Sequence, residues 1–137
     1  MLKRHCASID HLVCVYCTII RPVVEYACQA WNPGLTQELT KHIELVQKRA
    51  LRIICPVLSY TEALEKCNLI TLEDRRKELC VNYFNKIKQD KHKLHALLPQ
   101  PRNCAYNLRK CSAFERPLLR TYRAQHSFIN WALSNLQ

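Results

Sequence analysis

Glycine is almost missing from this sequence: Gly34 is the only one in 137 residues. Hairpins and phosphate-cradling loops need residues that tolerate φ > 0, so a β-sandwich and a Gly-rich nucleotide loop are both excluded. Aspartate is nearly as scarce, confined to Asp10, Asp74 and Asp90. Two-metal phosphoryl transfer needs carboxylates clustered about the ions, and Glu73-Asp74 at a helix start does not supply them. The six histidines are scattered, and none is paired with a Cys or Ser nucleophile. No catalytic residue is expected. Met1-Leu2-Lys3-Arg4-His5 is too short and too polar to begin a secretory leader, and no apolar run is expected to approach the ~20 residues of a bilayer span. The expectation is an intracellular chain, nuclear or cytoplasmic, with no membrane partner.

What is present is apolar and basic. Hydrophobic residues make up 48% of the chain, too many for disorder, and its length suits one compact domain with a single core. The nine cysteines are odd in number and several fall on apolar stripes, which points to reduced, mostly buried thiols. Cys14-Val15-Tyr16-Cys17 is a CxxC with His11 three residues earlier. A zinc site draws four ligands, usually from two such pairs, and there is no second pair. On a helix the three side chains also fan out around the cylinder. A thioredoxin-like motif would need a βαβ context that is absent. No metal and no cofactor are expected.

Hydrophobic spacing is helical along most of the chain, so the fold class predicted is all-α: a small bundle of about four to six helices followed by an extended basic segment. Ser8 caps a first helix whose stripe runs Ile9, Leu12, Val13, Tyr16, Ile19, Ile20, Val23, Val24, Ala27, Ala30, Trp31. The phase survives Pro22, which predicts one helix over 9–31, kinked at that proline. Asn32-Pro33-Gly34 then suits a type II turn. Thr36 caps a second helix near 37–54 with the stripe Leu39, Ile43, Val46, Ala50, Ile53 and Ile54, stopped by Pro56. Ser59 and Glu62 form a capping box for a short helix to about Cys67. Thr71 caps a helix over 72–89, and a helical turn at 94–98 precedes Pro99 and Pro101. Residues 102–121 lose the period, and Phe128, Ile129, Trp131, Ala132, Leu133 and Leu136 make a short closing helix that must dock. The expected domains are 1–98, helical, and 99–137, the basic segment with its closing helix.

The net charge of +10 is uneven. Residues 1–70 carry eight Lys/Arg against six Asp/Glu, and residues 71–137 carry thirteen against five. A basic half of this kind suits a polyanion, nucleic acid before membrane. The expected phosphate contacts are Lys48, Arg49 and Arg52 on the second helix and Arg75, Arg76 and Lys77 one turn into the fourth. Arg102, Arg109, Lys110, Arg116, Arg120 and Arg123 join them in the tail. There Tyr106, Phe114 and Tyr122 either stack on unpaired bases or pin the segment to the helices.

The stretches LKRHC, VYCTIIRPVVEYACQAWNPGLT, IELVQKRALRIICP, SYTEALEKCNLITLEDRRKELC, HKLHALLP and SFINWALSNLQ together resemble the C-terminal part of non-LTR (LINE-type) retrotransposon reverse transcriptases. The resemblance runs in order over nearly all of the chain. Its most specific blocks are Arg21-Pro22, Glu25-Tyr26, Trp31-Asn32-Pro33, Gln47-Lys48-Arg49-Ala50 and Leu72-Glu73-Asp74-Arg75-Arg76. It implies an α-helical thumb and tail that grip template and primer, RNA or an RNA/DNA duplex. In that family the metal-binding Asp pair lies upstream in the palm, and no position here matches it. The resemblance therefore implies a truncated copy that binds without catalysing. A non-catalytic helical module for docking another protein is the alternative.

Overall fold

The computed structural model describes residues 7–102, 114–115 and 117–135. Among them the structure is all-α, as the spacing predicts, with an isolated bridge between Pro101 and Phe114 as its one trace of β pairing. The chain divides into two compact units, Met1–Cys28 with Leu35–Lys77, and Gln29–Gly34 with Glu78–Gln137. The expected boundary at 98/99 falls inside the second.

In the first unit, α1 (Ile9–Val15) starts at Ser8, whose Oγ accepts from the His11 N–H at 3.4 Å. It runs on as a π-helical turn over Tyr16–Ile20 and then as α2 (Arg21–Glu25). This wide turn is how the chain passes Pro22. The Arg21 N–H reaches back five residues to the Tyr16 carbonyl, and Thr18 Oγ1 donates to the Cys14 carbonyl at 2.8 Å. An ordinary turn would press the proline ring against the carbonyl four residues back, and the wider turn relieves that. The chain keeps its helical path through the proline, as expected, but not as far as residue 31. It leaves it at Tyr26–Ala27, where Tyr26 has ψ 126° and Ala27 has φ 49°. The left-handed conformation costs a residue with a Cβ roughly 1–2 kcal/mol. The expected type II turn is also absent: Asn32–Gly34 is a 3-10 turn following α3 (Cys28–Trp31), and Gly34 does not have positive φ.

By length and composition, Ile9–Gly34 is apolar enough to cross a membrane, which a count of uninterrupted runs does not reveal. The Arg21–Glu25 ion pair at 3.5 Å and the break at Tyr26–Ala27 both lie within it. Each would be costly in hydrocarbon.

The second long helix, α4 (Gln37–Ile54), begins at Thr36, whose Oγ1 accepts from Leu39 N–H at 3.3 Å, and ends just before Pro56. Its bounds are as expected, but its rotation is not. Leu39, Val46 and Ile53, expected in the core, are exposed, with Ile53 60% accessible. The buried face is Gln47, Leu51 and Ile54. The reason is polar. Tyr16 donates its hydroxyl to Gln47 Oε1 at 2.6 Å, while Gln47 Nε2 donates to the Ile70 carbonyl at 2.8 Å and to the Tyr60 oxygen at 3.3 Å. Tyr60 in turn donates to Glu44 Oε1, which also accepts from the Leu72 N–H at 3.2 Å. Turning the helix by one residue, ~100°, would dismantle all of these.

Helix α5 (Tyr60–Lys66) has the predicted capping box: Ser59 N–H donates to Glu62 at 2.8 Å, and Ser59 Oγ accepts from Glu62 N–H at 3.4 Å. It closes with Asn68 at φ 51°, its N–H on the Glu65 carbonyl and that of Leu69 on Leu64, the paired bonds of a Schellman motif. Tyr16, Leu51, Ile54, Cys55, Ala63 and Leu64 form the core. Helix α6 (Leu72–Ile87) starts at Thr71, whose Oγ1 accepts from the Asp74 N–H at 3.1 Å, and passes from the first unit to the second between Lys77 and Glu78.

The second unit places Phe84 against α8 (Phe128–Asn135), burying Ala132 and Leu133 with Phe114, Phe128 and Trp131 around them. The closing helix docks as predicted, preceded by α7 (Tyr122–Gln125). None of the six described cysteines is in a disulfide. Cys28, Cys55 and Cys80 are buried, Cys17 and Cys67 half-buried, and Cys14 exposed.

Because Gln47 is 1% exposed and its loss would take the partner of the buried Tyr16 hydroxyl, Gln47→Ala should cost about 3 kcal/mol in urea unfolding. Val46→Ala, on a face hydropathy alone would bury, should cost less than about 0.5 kcal/mol. The reverse ranking would contradict this rotation of α4.

Candidate nucleic-acid interface

With Gln47 inward, α4 presents Lys48 and Arg52 on the flank of its buried face and Arg49 further round, all exposed. At ~100° per residue, Lys48 and Arg52 fall within ~40° of one another, and Lys41 falls between them. Lys41 is exposed as well, and it was not among the expected contacts. Its seven-residue spacing to Lys48 was the available signal. From Lys41 to Arg52 the line is ~16 Å long at ~1.5 Å per residue, comparable with about five steps of duplex at ~3.4 Å.

Beside this line lies a half-open groove of about 330 Å³ between α4, the connection to α5 and α5 itself. Leu51, Leu58 and Ala63 line its apolar part, Tyr60 contributes a ring, and Lys48 and Arg52 are at its exposed edge. Lys48 Nζ sits 5.1 Å from the centroid of the Tyr60 ring, a cation–π contact worth about 0.5–1 kcal/mol at an exposed position. The Tyr60 hydroxyl is held protonated well above the ordinary tyrosine range, first by burial and then by its bond to Glu44. The Glu62 carboxyl is held below the usual range by the Ser59 backbone N–H that it accepts.

The three consecutive cations of α6 do not form a patch. Arg76 is 0% exposed and engaged inside the protein, so it is corrected from surface contact to interior residue. Arg75 is half-buried and pairs with Glu25 at 3.5 Å. Lys77 is exposed but bonds Glu73 at 2.8 Å, which raises its pKa, with Asp74 at 3.8 Å. Neighbours along a helix point ~100° apart. A run of cations in sequence is therefore not a run in space.

In the second unit, Arg102, Arg120 and Arg123 are exposed. Arg109, Lys110, Arg116 and Tyr106 lie outside the described residues. Phe114 belongs to the core, as the pinning alternative has it. Tyr122 is 66% exposed, and its ring stacks on His126 with centroids 3.8 Å apart. Lys86, Lys88, Lys91 and Lys93 are also exposed, and four lysines within eight residues were a legible signal that was passed over. Among the described residues no three His, Cys, Asp or Glu side chains are placed to hold a metal ion. His11 instead bonds Ser8 Oγ through Nδ1 at 2.8 Å.

Compared with protein-family models, with curated proteins and with solved structures, the chain matches none.

Removing the charge of an interior guanidinium strands what surrounds it. Arg76→Ala should therefore cost about 3 kcal/mol of unfolding free energy, whereas Lys77→Ala should cost no more than about 0.5 kcal/mol. Paired urea titrations compare them. Equal, small effects would return Arg76 to the surface.

Proposed function

We propose that the chain binds nucleic acid, in the manner expected of the thumb of a non-LTR reverse transcriptase, gripping a strand or an RNA–DNA duplex without performing chemistry on it. The observation that carries this reading is the cationic face of α4. Lys41, Lys48, Arg49 and Arg52 are exposed on a helix whose rotation is fixed by the inward bonds of Gln47. The charge balance of +10 adds long-range attraction for a polyanion. The resemblance of its sequence blocks, in order, to those polymerases supports the same reading. Arg102, Arg120 and Arg123, with the lysines of 86–93, are the further cations available in the second unit.

A second reading has its own observation. Leu39, Val46 and Ile53 make an exposed apolar line at seven-residue spacing on α4, and Ile19, Val23 and Tyr26 are exposed on the first helical path. Such a surface suits docking of another protein.

Binding to a short RNA–DNA duplex, measured against salt, separates the two. Four phosphate contacts from α4 give a slope of log affinity on log salt near −3.6 at ~0.9 per contact. Lys48→Ala with Arg52→Ala should make the slope shallower by about 2 with the helix content unchanged. A wild-type slope near zero, or an unaltered slope in the double variant, would favour the protein-docking surface.

A further inference from the structure

We propose that the groove beside Tyr60 is a subsite for one unpaired nucleotide, taking the base against the Tyr60 ring and its phosphate on Lys48 and Arg52. The proposal rests on the nucleic-acid reading above and makes it more specific: the preferred partner becomes a single strand, or the unpaired end of one.

Three features of the groove point to this ligand. Its walls combine the Tyr60 ring with the apolar Pro56 and Leu58 above the buried Leu51 and Ala63, while its exposed edge carries two cations four residues apart and no carboxylate. The nearest acids are already committed, Glu44 to the Tyr60 hydroxyl and the Leu72 N–H, and Glu62 to the Ser59 N–H. A ligand with a flat apolar part and an anionic part matches that distribution, and a nucleotide has both. Its volume of about 330 Å³ stands at the small end of ligand pockets, which run from ~300 to ~1,000 Å³. That is room for one unit, not for a run of bases.

Lys48 gives the site its working part. In the free protein its ammonium lies over the Tyr60 ring, 5.1 Å from the centroid. An arriving phosphate offers that ammonium a full negative charge, and the movement uncovers the ring for the base. One side chain therefore couples the two halves of recognition. The groove also says what it does not read. The Tyr60 hydroxyl, the Ser59 N–H and the Ser59 oxygen are all engaged within the chain, so no free donor or acceptor among them meets the base edge. Stacking of that kind tolerates every base, whereas a paired base would first have to leave its helix.

The test compares a short single-stranded oligonucleotide with an abasic strand of the same length and charge, at one salt concentration, on the full chain. The base-bearing strand should bind about 10-fold more tightly. Ala63→Met, which fills the groove, should remove most of that difference while leaving abasic binding unchanged, and Tyr60→Phe, which keeps the ring, should retain it. On the unaltered chain, uridine 5′-monophosphate should move the Tyr60 ring resonances upfield, with Tyr60→Phe supplying the assignment. That measurement decides the matter even where Ala63→Met does not fold. Equal, salt-sensitive binding of both strands with an unmoved Tyr60 ring overturns the subsite and leaves the nucleic-acid reading standing. No binding of either strand overturns both.

Discussion

The side-chain amide of Gln47 sits where packing alone would be served by a leucine, and its oxygen and nitrogen are met by Tyr16, Ile70 and Tyr60. A buried amide deprived of those partners is expensive, so the helix that carries it has one acceptable rotation. Through Tyr60 the bonds reach Glu44, and through Glu44 the first turn of α6, where a carboxylate suits the positive end of a helix. Tyr16 enters the same network from the π-helical turn, so the detour that lets the chain pass Pro22 ends in contact with the core. Four segments of the first unit are thereby fixed in register by directional bonds as well as by apolar burial.

The functional consequence is a matter of angle. Were α4 turned to bury Val46 and Ile53, the bonds of Gln47 would break and Lys48 would be carried away from the Tyr60 ring that it now covers. As it is, the same rotation leaves an apolar line exposed and lays Lys48 over the Tyr60 ring. Tyr60 is therefore held at its hydroxyl by the buried network and offered at its ring to the groove. Arg76 gives the opposite lesson. Its charge serves the interior, and a charge reversal there would unfold the unit before it could report on binding.

The parts of the fold that were legible are those written in local chemistry. Ser8, Thr36, Ser59 and Thr71 announce helix starts because each side-chain oxygen has one obvious use, accepting an N–H of the first turn. Pro56 marks an end for an equally local reason. The closing helix was readable from its density of apolar residues. What failed were the rotation of α4 and the turn at Ala27, which local chemistry does not determine. Gln47 looks like a surface residue unless Tyr16 and Ile70 are known to meet it. Ala27 gives no sign that it will adopt φ 49°, and Gly34, which could have adopted it freely, does not. Of the candidate site, Lys48, Arg49 and Arg52 are exposed as expected, the exposed Lys41 between two of them was not read, and the groove was invisible because a five-residue connection creates it. Arg75, Arg76 and Lys77 were misjudged by reading adjacency in sequence as adjacency in space.

The central claim is that the Lys41–Lys48–Arg52 side of α4 lies against nucleic acid. Chemical acetylation of lysines, read by mass spectrometry with and without a short RNA–DNA duplex, asks this directly. The account predicts that Lys41 and Lys48 become protected when the duplex is bound, while Lys77, tied to Glu73 on another helix, stays as reactive as before. Unchanged reactivity at Lys41 and Lys48 in a saturated complex would contradict it.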